Sequence, residues 1–169
     1  MAELGSFPYF TGMQDSLVLV VFRVDRQRYA LPLEAVERIV GAVEVTPLPG
    51  APAIVLGAID VEGRVLPVLD LRRRLGLAQR EIGPADQFLI ASTWRRRMAL
   101  VIDEATGVSE HARSALIDAQ AIAAGMEPFQ GMVRLEDGLV LIHHLERFLS
   151  LEEANQVDDA LERAADGGQ

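Results

Sequence analysis

The sequence predicts a mainly β fold assembled from small barrels rather than from a parallel sheet flanked by helices. Seven runs of strand length are rich in Val, Ile and Leu, and short turns separate them. The runs do not alternate with long amphipathic helices, as the strands of a parallel sheet would. Many short strands joined by tight turns are typical of small barrels.

The strands are predicted in chain order at residues 17–24, 28–33, 53–60, 64–70, 87–92, 98–103 and 138–143. Turn-forming residues separate several of them at residues 25–27, 62–63, 94–97 and 137–138, and the Asp-Gly pair at 137–138 is a strong hairpin signal. Pro67 has no amide hydrogen, so the strand that contains it should lie at a sheet edge or carry a bulge.

Short helical segments are predicted between the strands. Pro32 followed by apolar residues at helical spacing predicts a two-turn helix that ends before Gly41. Asp70 can cap a single turn over residues 71–75. Residues 112–124 also have helical propensity.

The C-terminal segment predicts an acidic helix that begins with a capping box at Ser150 and Glu153. Six acidic residues against one arginine give residues 151–169 a charge of −5, out of −9 for the whole chain. A narrow apolar stripe follows helical spacing: Ala154, Val157, Leu161 and Ala164. We expect this helix to lie outside the barrels, packed on them or solvated, with recruitment of a further partner as the alternative.

Composition excludes several classes of function. The 169 residues, half of them hydrophobic, are enough for one domain or for two small barrels with a shared core. Without cysteine there is no thiolate catalysis or Cys-ligated zinc, and without lysine there is no Schiff base. The net charge of −9 disfavours nucleic-acid binding. No apolar run reaches the roughly 18 residues that span a bilayer, so a cytoplasmic protein is expected.

Candidate catalytic and metal-binding residues are few. His143 and His144 are adjacent on a predicted strand, so they point to opposite faces and cannot chelate one ion. Asp60, Asp70 and Asp103 each end an apolar strand, where a turn or cap role is favoured over an acid–base pair. No serine lies in a nucleophile elbow. The sequence therefore predicts a protein that is not an enzyme and that has no metal site or cofactor.

Two features indicate contact with protein partners. Trp94 is followed by three arginines, which form either a solvated hairpin tip or a contact for an acidic partner. Residues 33–45 and 48–52 supply more apolar surface than two small barrels need, although all of it could be core. Exposed apolar patches on proteins usually mark partner sites.

The middle of the chain carries motifs of a known family. These motifs comprise residues 22–24, 29–33, Val36, Glu37, Ile39, Val40, Leu48, Pro49, Pro52, Gly57, 63–72, 75–76, 101–103, 107–108, Gly131 and 139–142. Through these residues, over about positions 17–150, the chain resembles CheW, the adaptor of bacterial chemosensory arrays.

The resemblance implies two five-stranded, SH3-like β-barrels around a common core. The short helices come from the sequence signals above, and the acidic C-terminal helix departs from the family because it is longer than the adaptor core requires. Residues 1–15 would be a mobile lead-in, 16–150 the CheW-like domain with two sub-barrels, and 151–169 the acidic helix or tail. The implied function is a non-catalytic scaffold that couples chemoreceptors to the regulatory domain of a CheA-type histidine kinase. The alternative is an adaptor of a non-flagellar pathway, such as pilus motility or gene expression, with altered or lost receptor binding.

The resemblance also implies partners and sites. The partners are the kinase regulatory domain, the cytoplasmic tip of a chemoreceptor and other CheW-like domains, without nucleic acid and without direct membrane insertion. The protein would reach the membrane only through receptor arrays. By resemblance, the receptor-binding residues are Glu62, Gly57, Asp60, Gly63, Val36 and Arg38. The kinase-binding residues are Val43, Val45, Pro49 and Pro52.

One motif departs from the family. The family turn reads Asn-Leu-Arg-Gly, whereas residues 60–63 read Asp-Val-Glu-Gly, which changes the local charge by −3, from +1 to −2. Reversing a charge at an interface costs affinity for a partner that matches arginine. The chain is therefore expected either to serve receptors with a basic tip or to have lost ordinary receptor binding while keeping the kinase.

Two rival functions stay open at this point. An enzyme or small-ligand binder on a similar barrel would need a deep pocket lined by Asp60, Asp103 or a histidine. A small-barrel nucleic-acid module is weakened by the net charge and by the presence of only one Trp and two Tyr.

Overall fold

Two β-sheets and a C-terminal helix make up the fold. The computed structural model describes residues 16–118, 129–136 and 138–167. Their strands are β1 (Ser16–Val24), β2 (Gln27–Pro32), β3 (Val36–Gly41), β4 (Val55–Val61), β5 (Arg64–Leu69), β6 (Gln87–Ser92), β7 (Arg97–Ile102), β8 (Glu104–Ala112), β9 (Ile117–Asp118), β10 (Phe129–Leu135) and β11 (Gly138–His143). The helices are α1 (Leu71–Leu75) and α2 (Leu151–Gly167), with 3₁₀ turns at Leu33–Ala35, Arg113–Ala115 and Leu145–Arg147. The mainly β prediction is confirmed.

Hairpins build both sheets, and among the described strands each sheet also contains one parallel pair. The first sheet has the strand order β8-β1-β2-β11-β10-β9, and the second has the order β3-β6-β7-β5-β4. In the first sheet β2 runs parallel to β11, and in the second β5 runs parallel to β7. The second sheet takes all its strands from residues 36–102, between β2 and β8 of the first.

Two-residue turns fix the register of two hairpins, as the sequence predicts for residues 62–63. Glu62 and Gly63 have φ values of 53° and 84°, and Val61 pairs directly with Arg64. Positive φ at both central residues is the requirement of a type I′ turn, whose twist matches that of the flanking strands. In the β1–β2 turn Asp25 likewise has a φ of 55°.

Helix α1 begins and ends as predicted. The Arg72 amide donates to Asp70 Oδ1 at 3.0 Å, so the carboxylate satisfies one of the free N–H groups of the first turn. Gly76 ends the helix in the left-handed conformation, with a φ of 72°.

Pro67 lies in a different place from the one predicted. Its strand β5 lies inside the second sheet, between β7 and β4, rather than at an edge. The parallel pairing with β7 begins only at Val68, one residue after the proline. The bulge of this hairpin is on the partner strand β4. The sheet thus accommodates a proline in an interior strand because the pairing with β7 is short.

The predicted helix over residues 33–40 is wrong. Leu33–Ala35 forms only a 3₁₀ turn, and the chain continues as β3, which pairs antiparallel with β6. A bulge between Val36 and Arg38 inserts one residue into the strand. Val36 and Ile39 therefore both pack on the main core although they are three residues apart. Because of the bulge, apolar residues three positions apart face the same core, and this three-residue spacing is the one that predicted a helix.

The helix predicted over residues 112–124 is also wrong where the structure describes it. Arg113–Ala115 is a 3₁₀ turn and Ile117–Asp118 is strand β9, whereas residues 119–124 lie outside the described residues. Strands β8 and β10 were not predicted, because their many polar and glycine positions hide the period of two. Asp137 of the predicted hairpin turn also lies outside the described residues.

The buried side chains form three clusters within the described part of the chain. The largest takes residues from the first sheet, the second sheet and α2, for example Phe22, Leu100 and Val157. A second cluster around Val140 belongs to the first sheet, and a third around Ile90 belongs to the second. Each sheet thus has its own interior, and one shared core joins the two.

Helix α2 packs against this shared core. The Glu153 amide donates to Ser150 Oγ at 3.1 Å, and the Ser150 amide donates to Glu153 Oε1 at 2.9 Å, which is the predicted capping box. Ala154, Val157 and Ala160 are buried. Of the predicted stripe, Ala164 is exposed, whereas Ala160, which was not predicted, is buried. The apolar side of the helix thus joins the cluster that contains residues of both sheets.

Candidate partner-binding surfaces

We call the six residues predicted to bind a receptor the turn surface (Val36, Arg38, Gly57, Asp60, Glu62 and Gly63). The structure brings four of them together: Arg38, Asp60, Glu62 and Gly63. Arg38 of β3 and Glu62 of the β4–β5 turn form an ion pair. Strands β3 and β4 are the two outer strands of the second sheet, so this pair links its edges. Glu62 therefore already has a cationic neighbour.

Asp60 and Gly63 hold the turn in shape. The Gly63 amide donates to Asp60 Oδ1 at 2.7 Å, which closes the turn from inside the hairpin. With a φ of 84°, Gly63 has a backbone conformation that other residues adopt only with strain. The two residues fix the direction in which Glu62 projects.

Gly57 is a packing position rather than an exposed contact. A Cβ added there would lie 2.2 Å from the carbonyl oxygen of Thr46. Thr46 and Ala58 exchange backbone hydrogen bonds of 2.8 and 3.0 Å, which draw residues 42–46 onto β4. Gly57 is buried under this segment and Val36 is half-buried, so the exposed part of the turn surface consists of the other four residues.

Sequence reasoning missed a second ion pair beside the turn surface. Arg97 donates to Glu37 through Nε and Nη2, both at 2.8 Å, and the Ser92 hydroxyl also donates to this carboxylate. The hydrogen bonds from Arg97 are the largest cause that lowers the pKa of Glu37. Both residues line a cavity of about 390 Å³ with Val61, Glu62 and Arg64. Glu37 and Arg97 are 60 positions apart in sequence, and only the pairing of β3 with β6 and of β6 with β7 brings them together.

These residues make the turn surface electrically balanced. Together with the residues beside it, the turn surface carries three arginines and three carboxylates: Arg38, Arg64, Arg97, Glu37, Asp60 and Glu62. The charge of −2 that the turn alone suggests is thus offset by arginines from neighbouring strands.

The residues predicted to bind a kinase, which we call the loop surface (Val43, Val45, Pro49 and Pro52), lie in the long connection between β3 and β4. Val43 is 56% exposed and Pro49 is exposed, whereas Val45 and Pro52 are half-buried. Val43 and Val45 line a cavity of about 290 Å³.

Several contacts hold the loop surface in place. The Ala42 amide donates to the Asp86 carbonyl oxygen at 3.0 Å, and the Val55 amide donates to the Pro52 carbonyl oxygen at 2.9 Å. A Cβ added at Gly50 would lie 2.1 Å from Nη2 of Arg163, so α2 reaches this connection. The loop surface is therefore a fixed feature of the fold.

The arginines that follow Trp94 are paired inside the chain. Arg95 and Arg96 both form ion pairs with Asp158 of α2, and Arg97 pairs with Glu37. Two carboxylates, Asp158 and Glu37, offset two of these three positive charges, which weakens the hypothesis of an acidic partner at this point. Trp94 itself is exposed.

The histidines and aspartates weighed for catalysis take structural positions. His143 is buried, and His144 is half-buried. Asp70 caps α1, Asp60 closes a turn, and Asp103 accepts from Arg72 at 2.9 Å. Within residues 16–118, 129–136 and 138–167, no group of three or more His, Asp or Glu is placed to hold a metal ion. No helix in those ranges is long and apolar enough to cross a membrane.

Comparisons with known proteins agree with this geometry. The model of the CheW-like domain family matches residues 18–153. The chain is 29% identical to the chemotaxis protein CheW of Rhizobium meliloti (strain 1021) over 137 residues, which cover 80% of this chain and 88% of the relative. It is 36% identical to protein FrzA of Myxococcus xanthus over 87 residues, which cover 52% and 54%.

A solved structure shows the same fold. The crystal structure of the scaffolding protein TtCheW from Thermoanaerobacter tengcongensis matches with a TM-score of 0.74 and 21% identity, over 81% of this chain and 94% of that one. The family model covers far more than half of the sequence. This chain belongs to the CheW-like family.

Proposed function

We propose that this chain is a non-catalytic scaffold that couples chemoreceptors to the regulatory domain of a CheA-type histidine kinase. The observation that carries the proposal is the family match over residues 18–153. Relatives that are named chemotaxis protein CheW support it. The proposed location is the cytoplasm, next to the membrane wherever receptor arrays form.

A coupling protein needs separate places for two partners. In this proposal the kinase binds the loop surface and the receptor binds the turn surface. The exposed Val43 and Pro49 would supply apolar contact area to the kinase. The balanced charges around Glu62 would select the receptor by complementarity rather than by contact area.

Calorimetric titration against the regulatory domain of the CheA-type kinase from the same genome tests the kinase contact. We expect saturable one-to-one binding. Val43→Asp should weaken it at least about tenfold, because the carboxylate would be desolvated in an apolar contact. Val108→Asp is the matched control, since Val108 is 63% exposed on β8 of the first sheet. Absence of binding, or equal loss in both variants, would contradict the proposal.

For the receptor contact we propose that Glu62 faces a basic group on the receptor tip. Glu62→Arg places a second guanidinium beside Arg38 and changes the charge of the surface by +2. Affinity for the receptor tip encoded in the same genome should then fall at least about fivefold, with kinase affinity within about twofold of wild type.

The matched control is Glu162→Arg, the same reversal at an exposed position of α2. Binding to the receptor tip would be measured by calorimetry for both variants. Unchanged affinity in Glu62→Arg would refute the proposed contact, and a gain would show that the receptor instead matches the family arginine.

A further inference from the structure

Trp94 and Leu151 frame an apolar cavity that the proposed kinase and receptor contacts do not use. The two side chains are 84% and 73% exposed, on the β6–β7 loop and at the start of α2. They line one cavity of about 200 Å³. Its buried wall is apolar and consists of Met98, Leu145 and Ala154. Large exposed apolar groups around such a cavity indicate a docking position.

Polar contacts hold the two sides of the cavity in fixed positions. Arg95 Nη2 donates to Asp158 at 2.5 Å and to Asn155 Oδ1 at 2.8 Å, which ties the loop to α2. Thr93 Oγ1 accepts the amide hydrogens of Arg95 and Arg96, both at 3.1 Å. A cavity that exists before binding loses little conformational entropy when it is filled.

The rim of the cavity carries two arginines that share one carboxylate, and a second carboxylate, that of Glu146, that is exposed. Arg95 and Arg96 both turn their guanidinium groups onto Asp158. Glu146 is exposed and lines the cavity, and its carboxylate accepts only a long 3.4 Å hydrogen bond from the Trp94 amide. In the part of the chain that the structure describes, Glu146 forms no ion pair. A cation beside the cavity would therefore find a carboxylate available.

We propose that this cavity docks a segment of another protein in which a large apolar side chain stands next to a Lys or Arg. The volume holds one large side chain between Trp94 and Leu151. The neighbouring basic group would pair with Glu146 and lie near the indole ring, where a cation is also attracted to the aromatic face. This contact is separate from the turn and loop surfaces.

Trp94 is the only tryptophan in the chain, so its emission reports occupancy directly. The probe is the peptide acetyl-Ala-Ala-Leu-Arg-Ala-Ala-amide, titrated into the full chain, with the Leu-Glu and Ala-Arg versions as comparisons. We expect a saturable blue shift with the Leu-Arg peptide in the millimolar range. The Leu-Glu peptide should bind about threefold more weakly and the Ala-Arg peptide about tenfold more weakly.

Two variants localise the effect. Glu146→Gln should remove the preference for Leu-Arg over Leu-Glu, whereas Glu162→Gln, an exposed control on α2, should keep it. No blue shift, or equal shifts for the Leu-Arg and Leu-Glu peptides, would overturn the proposal. A shift that rises with protein concentration alone, with a dimer in sedimentation, would also overturn it by identifying a second copy as the occupant. Neither kinase nor receptor is present, so the outcome is independent of the proposed coupling function.

Discussion

His143 has an unusual environment for a titratable residue. Its imidazole is packed among four aromatic rings, with centroid distances of 6.1 Å to Phe22, 5.2 Å to Tyr29, 5.0 Å to Phe129 and 5.6 Å to Phe148. Neither ring nitrogen has a hydrogen-bond partner among the described residues. Burial lowers the pKa of His143 to about 3. The ring is therefore neutral in the folded protein at ordinary pH.

This environment predicts acid sensitivity. Because the folded pKa is below the unfolded value of about 6.5, the unfolded chain binds more protons, and the free energy of unfolding falls as pH drops through this interval. Between pH 6.5 and 4.5 the loss is on the order of 2–3 kcal/mol. His143→Leu should remove it and should not destabilise the protein at pH 7, since an unsatisfied buried polar group is lost.

Urea unfolding at both pH values measures this effect. His144→Leu, at the half-buried neighbouring position, is the control and should keep the wild-type pH dependence. Equal acid losses in wild type and His143→Leu would mean that carboxylates alone cause the sensitivity.

At the residue scale the sequence predicts positions better than it predicts contacts. Arg38 and Glu62 were assigned to one surface by resemblance, but their ion pair depends on β3 lying at the edge of the second sheet. The pair of Glu37 with Arg97 depends on the same register and was not predicted. Local sequence carries no information about residues that meet across strands 60 positions apart.

At the scale of elements, Asp158 anchors α2 to the β6–β7 loop. Its carboxylate pairs with Arg95 and with Arg96, whose side chain is only 8% exposed. Burial lowers the pKa of Arg96, which indicates that its guanidinium has lost hydration. The Asp158 carboxylate thus pairs with the Arg96 guanidinium, which is buried where α2 meets the β6–β7 loop.

Asp158→Asn should destabilise the protein by about 2 kcal/mol. This is less than the loss of a fully buried partner, because Asp158 is partly exposed. Asp159→Asn, at the exposed neighbouring position, should change the free energy of unfolding by less than about 0.5 kcal/mol. Urea denaturation of both variants makes the comparison, and equal effects would show that the ion pair contributes nothing beyond surface charge.

Elements with local signals were predicted, and elements set by tertiary pairing were not. Asp70 and Ser150 mark the starts of α1 and α2 because a cap is chosen by residues next to it in sequence. Strand β3 was taken for a helix because its bulge gives three-residue spacing. Strand β8 has no fully buried side chain, and its half-buried residues are small or polar (Ala105, Ser109 and His111), so only its pairing with β1 makes it a strand.

At the scale of the whole molecule, Arg72 joins the two sheets. It extends from α1, after the second sheet, and pairs with Asp25 in the β1–β2 turn of the first sheet at 2.5 Å. It also pairs with Asp103, which connects β7 to β8, at 2.9 Å. Its guanidinium therefore contacts both a turn of the first sheet and the residue at which the chain leaves the second sheet for the first.

Arg72→Leu should cost about 1–2 kcal/mol, because Asp25 is 42% exposed and Asp103 keeps Arg23 and Arg80 as ion-pair partners. Both sheets should still unfold in one calorimetric transition, because the largest buried cluster takes residues from each. Arg73→Leu, at the exposed neighbouring position, should change the midpoint temperature of thermal unfolding only slightly. Two separate transitions in either variant would mean that the sheets are independent folding units.

The position of the second sheet between β2 and β8 has a consequence for synthesis on the ribosome. Residues 36–102 contain every strand of that sheet, so it can assemble while the C-terminal third is still being translated. The first sheet must wait, because β2 pairs with β11, which ends at His143. Strand β2 thus spends most of translation without its parallel neighbour. Nascent-chain lengths that end before residue 138 should therefore protect the second sheet from hydrogen exchange, but not those amides of β2 that face β11 rather than β1.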